Sequence, residues 1–210
     1  MRNETHLEFL SKVANKFILP SRKDPDDHMQ TIQEVTAPLL ELTKPKELSH
    51  GMKIYRVQSE GPFSFKVSAS IPFTPGVFQG TGDEERQGIV LSIPQDAYDS
   101  IAHLSENFQQ QLDAKHPGIA QKWTSSLKQS DKYAPTLRAK INLKGDRECK
   151  FYDMSGQPAK APAEWRKLEV TAVLRLGGVY VQSKGAGLLL DVTHLQYDPA
   201  QNQGANPFAV

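Results

Sequence analysis

In the second half of the chain, Lys and Arg are interleaved with aromatic residues. Arg138, Lys140 and Lys144 lie in LRAKINLK, Lys150 and Tyr152 in CKFYD, and Trp165, Arg166, Lys167 and Arg175 in WRKLEVTAVLRL; Tyr180 and Lys184 follow. At an alternating period Arg138, Lys140 and Lys144, then Lys150 and Tyr152, then Lys167 and Arg175 share the polar face of successive strands, with Trp165 and Arg166 at the entry of the last, while Leu137, Ala139, Ile141, Leu168, Val170, Ala172, Leu174 and Leu176 take the other. Cations neutralise phosphates, and aromatic rings stack on unpaired bases for ~1–3 kcal/mol per base. Such a face suits one unpaired nucleic-acid strand. The same pattern also describes a solvated sheet face with scattered lysines, and large aromatics are more often core than platform. Trp123 reads as core, Phe9 and Phe17 as packing residues, and one or two of Phe63, Phe65, Phe73 and Phe78 as exposed beside a loop.

Charge supports an anionic partner. The net charge of +1 conceals two unlike halves: residues 1–120 carry 12 Lys/Arg against 16 Asp/Glu, residues 121–210 carry 13 against 8. Catalytic patterns are weak. The six histidines, His6, His28, His50, His103, His116 and His194, show no helical metal-binding spacing. Asp24, Asp26, Asp27 and His28 read as a solvated acidic linker rather than a cation site. GVFQGTGDEERQG lacks the Lys-Ser/Thr ending of a phosphate loop, and Asp83, Glu84 and Glu85 would repel phosphate. The single cysteine, Cys149, excludes an internal disulfide framework and reads as a structural thiol. The expectation is a non-enzymatic protein without cofactor or metal. With no signal-like start and no long apolar run, it is expected to be intracellular.

The elements that must position this face follow from periodicity. Residues 1–50 read as an N-terminal helical segment. One helix runs from Thr5 to Pro20, residues 21–28 form a linker, and a second helical stretch covers 29–42. Period-two strands are expected at 53–58, 63–71 and 88–93, followed by a helix over 95–112 and a short helix around 119–127. Further strands are expected at 137–143, 149–153, 165–176, 178–183 and 187–197. Turns are expected at Gly145-Asp146, Ser155-Gly156, Gly177-Gly178 and Gly185, with Gly187 also a hairpin residue. Residues 51–198 form the expected nucleic-acid-binding domain and 199–210 a flexible C-terminal tail. The fold class is mainly β with helices (α+β). Its arrangement is an OB-fold-like five-stranded Greek-key barrel with a helix between strands 3 and 4.

From Phe151 to Asp198 the order is FYD, a Ser155-Gly156 turn, a basic strand, the Val179-Tyr180 strand, a glycine hairpin and a long last strand. Together with GIVLSIPQDAYDSIAHLSENFQQQL, this resembles the single-stranded DNA-binding replication proteins of short-tailed bacteriophages and their relatives in large DNA viruses. The resemblance covers about residues 52–198. It implies an OB-fold and binding of unpaired DNA in replication, recombination or repair. That family carries an acidic C-terminal tail ending in an aromatic residue. Here the tail has only Asp198 beyond the last strand, although Phe208 stands near the end. The partners expected are single-stranded DNA, replication proteins through the tail or the N-terminal helices, and a second copy of the chain. The competing readings are a structural or adaptor module, as in viral assembly, and an RNA-binding OB protein, which the 2′-hydroxyl would distinguish.

Overall fold

The computed structural model describes residues 31–32, 40–58, 62–77 and 85–202. The expected first helix, the acidic linker and most of the tail lie outside the described residues. The strands are β1 Lys46–Glu47, β2 Lys53–Tyr55, β3 Ser64–Ile71, β4 Gly76–Val77, β5 Arg86–Ser92, β6 Leu127–Lys128, β7 Thr136–Asn142, β8 Lys150–Tyr152, β9 Leu168–Gln182 and β10 Gly185–Tyr197. One α-helix among the described residues, α1, spans Gln95–Asp113. The described residues are therefore mostly β-sheet with one α-helix, as expected for α+β. No described helix is long and apolar enough to cross a membrane.

Pairing closes a ring. β3 pairs with β9, β9 with β10, β10 with β7, β7 with β5, and β5 with β3 through Ser70↔Ser92 and with β4 through Gly76↔Gly88. All these pairs are antiparallel except β10 with β7, which run parallel at Asp191↔Lys140. A row begun at Ser64 in β3 passes Arg175, Asp191, Lys140 and Gly88 and ends at Gly76 in β4, twelve residues along the chain from its start. That stagger is the tilt a small closed sheet requires. The interior holds the alternate residues of each strand, among them Phe65, Ile71, Ile89, Leu91, Leu137, Ile141, Leu174 and Leu195, all at most 1% exposed.

Helix α1 begins at Gln95, directly after Pro94, which cannot donate to a ladder and so ends the β5 pairing. It buries Ala97, Ile101, Leu104, Phe108 and Leu112, spaced at three and four, in the main core, and Ser105 is buried beside them. Its outer residue Gln111 ties down the strand leading to β1: its amide accepts from Leu42 N at 3.0 Å and donates to Leu40 O at 2.7 Å. The helix follows the third segment read as a strand, as expected. However, β2 stands outside the ring, so α1 lies between the second and third ring strands.

Several boundaries differ from those read in the sequence. Thr31 bridges Lys66 and Leu42 bridges Val57, so the expected 29–42 helix is not formed at these two positions; residues 29–30 and 33–39 of it lie outside the described residues. A division at residue 50 would cut the β1–β2 hairpin, where Lys46 pairs with Ile54. The expected 119–127 helix is a single 3-10 turn, Ile119–Lys122, followed by β6. Gly177-Gly178 is not a turn. It is a bulge inside the continuous strand β9, where Leu190 faces Leu176 and Leu189 faces Gly178. The hairpin turn falls at Ser183-Lys184, and Gly185 and Gly187 belong to β10. Gly187 is required because a side chain there would press on the Thr124 carbonyl and the Tyr180 ring.

Gly178 has φ +123, and a Cβ there would overlap the Tyr55 carbonyl oxygen of β2. Gly156, in the turn after β8, has φ +79 but open space around it. Gly178→Ala should cost at least about 2 kcal/mol, from backbone strain plus displacement of β2, whereas Gly156→Ala should cost about 1 kcal/mol from strain alone. Urea denaturation of the two variants checks this; equal losses would show that the close approach at β2 is not limiting.

Candidate nucleic-acid interface

Outward residues of β3, β9, β10, β7, β8 and β5 form three cross-strand rows. The first is Ser64, Arg175, Asp191, Lys140 and Gly88. The second is Lys66, Val173, His194 and Lys150. The third is Ser68, Thr171, Gln196 and Tyr152. A second bulge, between Val192 and His194, makes these rows possible: Thr193 is the extra residue, and its insertion turns His194 outward while Leu195 and Tyr197 stay in the core.

The first row is centred on a carboxylate. Asp191, with a side chain 13% exposed, accepts from Arg86 at 2.8 Å through Oδ1 and from Arg175 at 2.9 Å through Oδ2. The arginines come from β5 and β9, on opposite sides of β10. Burial first, and the Arg86 charge second, push the Lys140 amine below the usual lysine value, while Asp191 pulls it back up. Three cations thus surround one carboxylate, and the cluster keeps a positive excess.

The second and third rows carry stacking groups on a partly apolar floor. Tyr152 lies nearly parallel to His194, with ring centroids 6.0 Å apart and an interplanar angle of 28°. The Thr193 hydroxyl meets His194 Nδ1 at 3.0 Å and fixes that ring. Val173, between Lys66 and His194, is buried although it lies outside the core cluster. After β8, the Asp153 carboxylate accepts from Ser155 N and Oγ and from Gln157 N. These hydrogen bonds hold its carboxyl below the usual carboxylate value and fix the turn beside Tyr152.

Of the residues singled out in the sequence, Lys140, Lys150, Tyr152 and Arg175 come together on this face. Arg138 is exposed on the same side of β7, opposite Val90, two residues from Lys140. Lys144 is exposed in the loop after β7. Arg166 and Lys167 are exposed at the head of β9, not within it, and the Lys167 amide donates to Ile71 O. Tyr180 lies past the Gly177-Gly178 bulge, half-buried against Gly187, and Lys184 occupies the hairpin turn; neither joins the rows. Trp165 is a correction. It is 7% exposed and packs edge-on against Phe151, at 5.9 Å and 74°, so it belongs to the core rather than to a stacking platform. Cys149 is buried as well, and burial pushes its thiol up to about 12.

Arg86, Lys66, Asp191 and His194 escape the sequence reading of the site. Arg86 stands in an acid-rich stretch that reads as phosphate-repelling, but its parity with Gly88, Val90 and Ser92 signals an outward position on a strand starting two residues earlier. His194 faces outward only because of the Thr193 bulge, for which the sequence carries no signal.

The chain is similar to solved structures of phage single-stranded DNA-binding proteins. It is 16% identical to the single-stranded DNA-binding protein from bacteriophage Enc34 in complex with ssDNA, over 73% of this chain and 93% of that chain, with TM-score 0.44. It is 15% identical to gp2.5, a single-stranded DNA-binding protein encoded by bacteriophage T7, over 67% of this chain and 93% of that chain, with TM-score 0.46. No protein-family profile matches the sequence, and no curated protein does.

Burial of Trp165 against Phe151 gives a direct expectation. Trp165→Ala should lower stability by about 3 kcal/mol, as for other buried aromatics, while Trp165→Phe should lose far less. Thermal denaturation of both variants checks it. Unchanged stability in Trp165→Ala would return this residue to the surface.

Proposed function

We propose that this protein binds single-stranded DNA, without strong sequence preference, across the outer face of an OB-like barrel formed by β3, β5, β7, β9 and β10. The observation that carries the reading is the set of three registered rows. They bring Lys66, Lys140, Lys150 and Arg175 from four different strands onto one face with the Tyr152–His194 stack, and Arg86 reaches in from a fifth. Cations on several adjacent strands can follow a phosphate backbone that crosses them. The stacked rings offer a flat apolar surface to a base, which requires the base to be unpaired. Arg138 and Lys144 extend the same face along β7. A role in replication, recombination or repair fits a binder of this kind, as does a non-enzymatic mechanism.

A strand that touches about four of these cations should show a slope of log affinity against log salt of roughly −3, since each phosphate contact to a single strand contributes about −0.7. The test is fluorescence anisotropy with a labelled 20-nucleotide strand across a salt series. Lys66→Ala combined with Lys150→Ala should flatten the slope by about one unit. Tyr152→Ala should weaken binding by about 1–3 kcal/mol at every salt concentration and leave the slope alone, because stacking releases no counterions. A duplex of the same sequence should bind more weakly. Equal affinity for duplex and single strand would reduce the face to a general basic surface. Absence of salt-dependent binding in the folded protein would leave the barrel a protein-interaction module.

A further inference from the structure

An acidic residue at the centre of a phosphate-binding face is a liability unless it does something that a neutral residue cannot. Asp191 is the buried acidic side chain among the described residues, and it sits in the first row between Arg175 and Lys140. Both its oxygens are engaged, one by each arginine, and each arginine spends a single terminal nitrogen on it. A guanidinium has five N–H donors in a rigid plane. Arg86 and Arg175 therefore keep donors for a further acceptor while each is tethered to the same carboxylate, from β5 and from β9. Without the carboxylate, Arg86, Lys140 and Arg175 would repel one another and spread into solvent.

Resting on the single-stranded DNA reading above, we propose that Asp191 is a positioning residue: it holds Arg86 and Arg175 as a preset pair of guanidiniums that receive a backbone phosphate beside Lys140. Preset donors lose less freedom on binding than mobile ones. The liability of the negative charge is met because the two arginines and Lys140 outnumber it. The class of ligand group is a phosphodiester oxygen, accepting from guanidinium N–H groups that Asp191 leaves unused.

The proposal makes a prediction opposite in sign to simple electrostatics. Asp191→Asn removes a negative charge from the face at nearly constant shape. If Asp191 only repels the DNA, affinity rises and the salt slope steepens. If Asp191 positions the arginines, affinity for the 20-nucleotide strand falls several-fold at both low and high salt, without a steeper slope. Arg175→Lys supplies the second arm, since it keeps the charge but loses the planar fork. The positioning role predicts a several-fold loss there too, whereas a charge-only face predicts no change. Thermal denaturation of both variants shows whether the barrel is intact, and Arg175→Lys carries the test if Asp191→Asn does not fold. Tighter binding by Asp191→Asn, or unaltered binding by Arg175→Lys, overturns the proposal while leaving the single-stranded DNA reading standing. Failure of the unsubstituted protein to bind the strand overturns both.

Discussion

The structure depends on β10 being shared by three neighbours. It pairs antiparallel with β9 along nearly its whole length and parallel with β7 and then β8 on its other edge. Without the β10–β7 pair the sheet would be an open ribbon ending on two unpaired edges. That pair is short, Asp191 and Val192 against Lys140 and Ile141. Side chains reinforce it on both faces. Val192 and Ile141 are buried in the core, and Asp191 reaches outward to Arg86, one strand beyond β7, and to Arg175 on β9. The ion-paired cluster therefore spans the seam at which the ring closes. Closing the barrel and assembling the basic face are the same event in this fold.

Two irregularities then decide which side chains face outward. Side-chain direction alternates strictly along a strand, so one inserted residue reverses everything beyond it. In β9 the Gly177-Gly178 bulge lets Val179 and Val181 continue the interior begun by Leu174 and Leu176, despite the change of parity. It also turns Tyr180 outward, onto Gly187. In β10 Thr193 performs the same operation and sends His194 to the face where Tyr152 stacks on it. Gly178 serves the first bulge because its φ of +123 and its approach to Tyr55 exclude a side chain. The second bulge uses an ordinary residue, stabilised by the Thr193 hydroxyl on the Val173 carbonyl and on His194.

This division explains what could be read in the sequence. Strict alternation in LRAKINL and LEVTAVLRL revealed the interior and exterior of β7 and β9, and the three-and-four spacing from Ala97 to Leu112 revealed α1. Both patterns follow from burial on one side. The Asp153–Gly156 turn was legible because an Asp side chain that caps its own turn leaves a local signature. Strand partners were not legible. Nothing local tells that β2 sits outside the ring, or that β10 joins β7 in parallel, because those choices are made by residues fifty or more positions apart. Trp165 departs from the sequence pattern for a related reason. Its neighbours Arg166 and Lys167 are exposed, but it precedes β9 in a turn, where alternation does not apply, and it packs on Phe151 from a different strand.

The missed residues show where charge counting fails. Dividing the chain into an acidic and a basic half assigns Arg86 and Lys66 to the wrong side, since closure of the ring brings β3 and β5 onto the same face as β7 and β9. Net charge in three dimensions follows pairing, not sequence distance. Asp191 illustrates the converse. Counted along the chain it reduces the basic character of its strand, yet in space it is surrounded by Arg86, Lys140 and Arg175 and orders them. A face that must present several cations close together needs some means to hold them against mutual repulsion. In water each would be screened and mobile, but at the half-buried seam of a closed sheet screening is weaker. One enclosed carboxylate, donating nothing and accepting from two guanidiniums, lowers the repulsion and fixes the geometry at once. The position that closes the ring is therefore also the position at which a dense cationic surface can be kept in order.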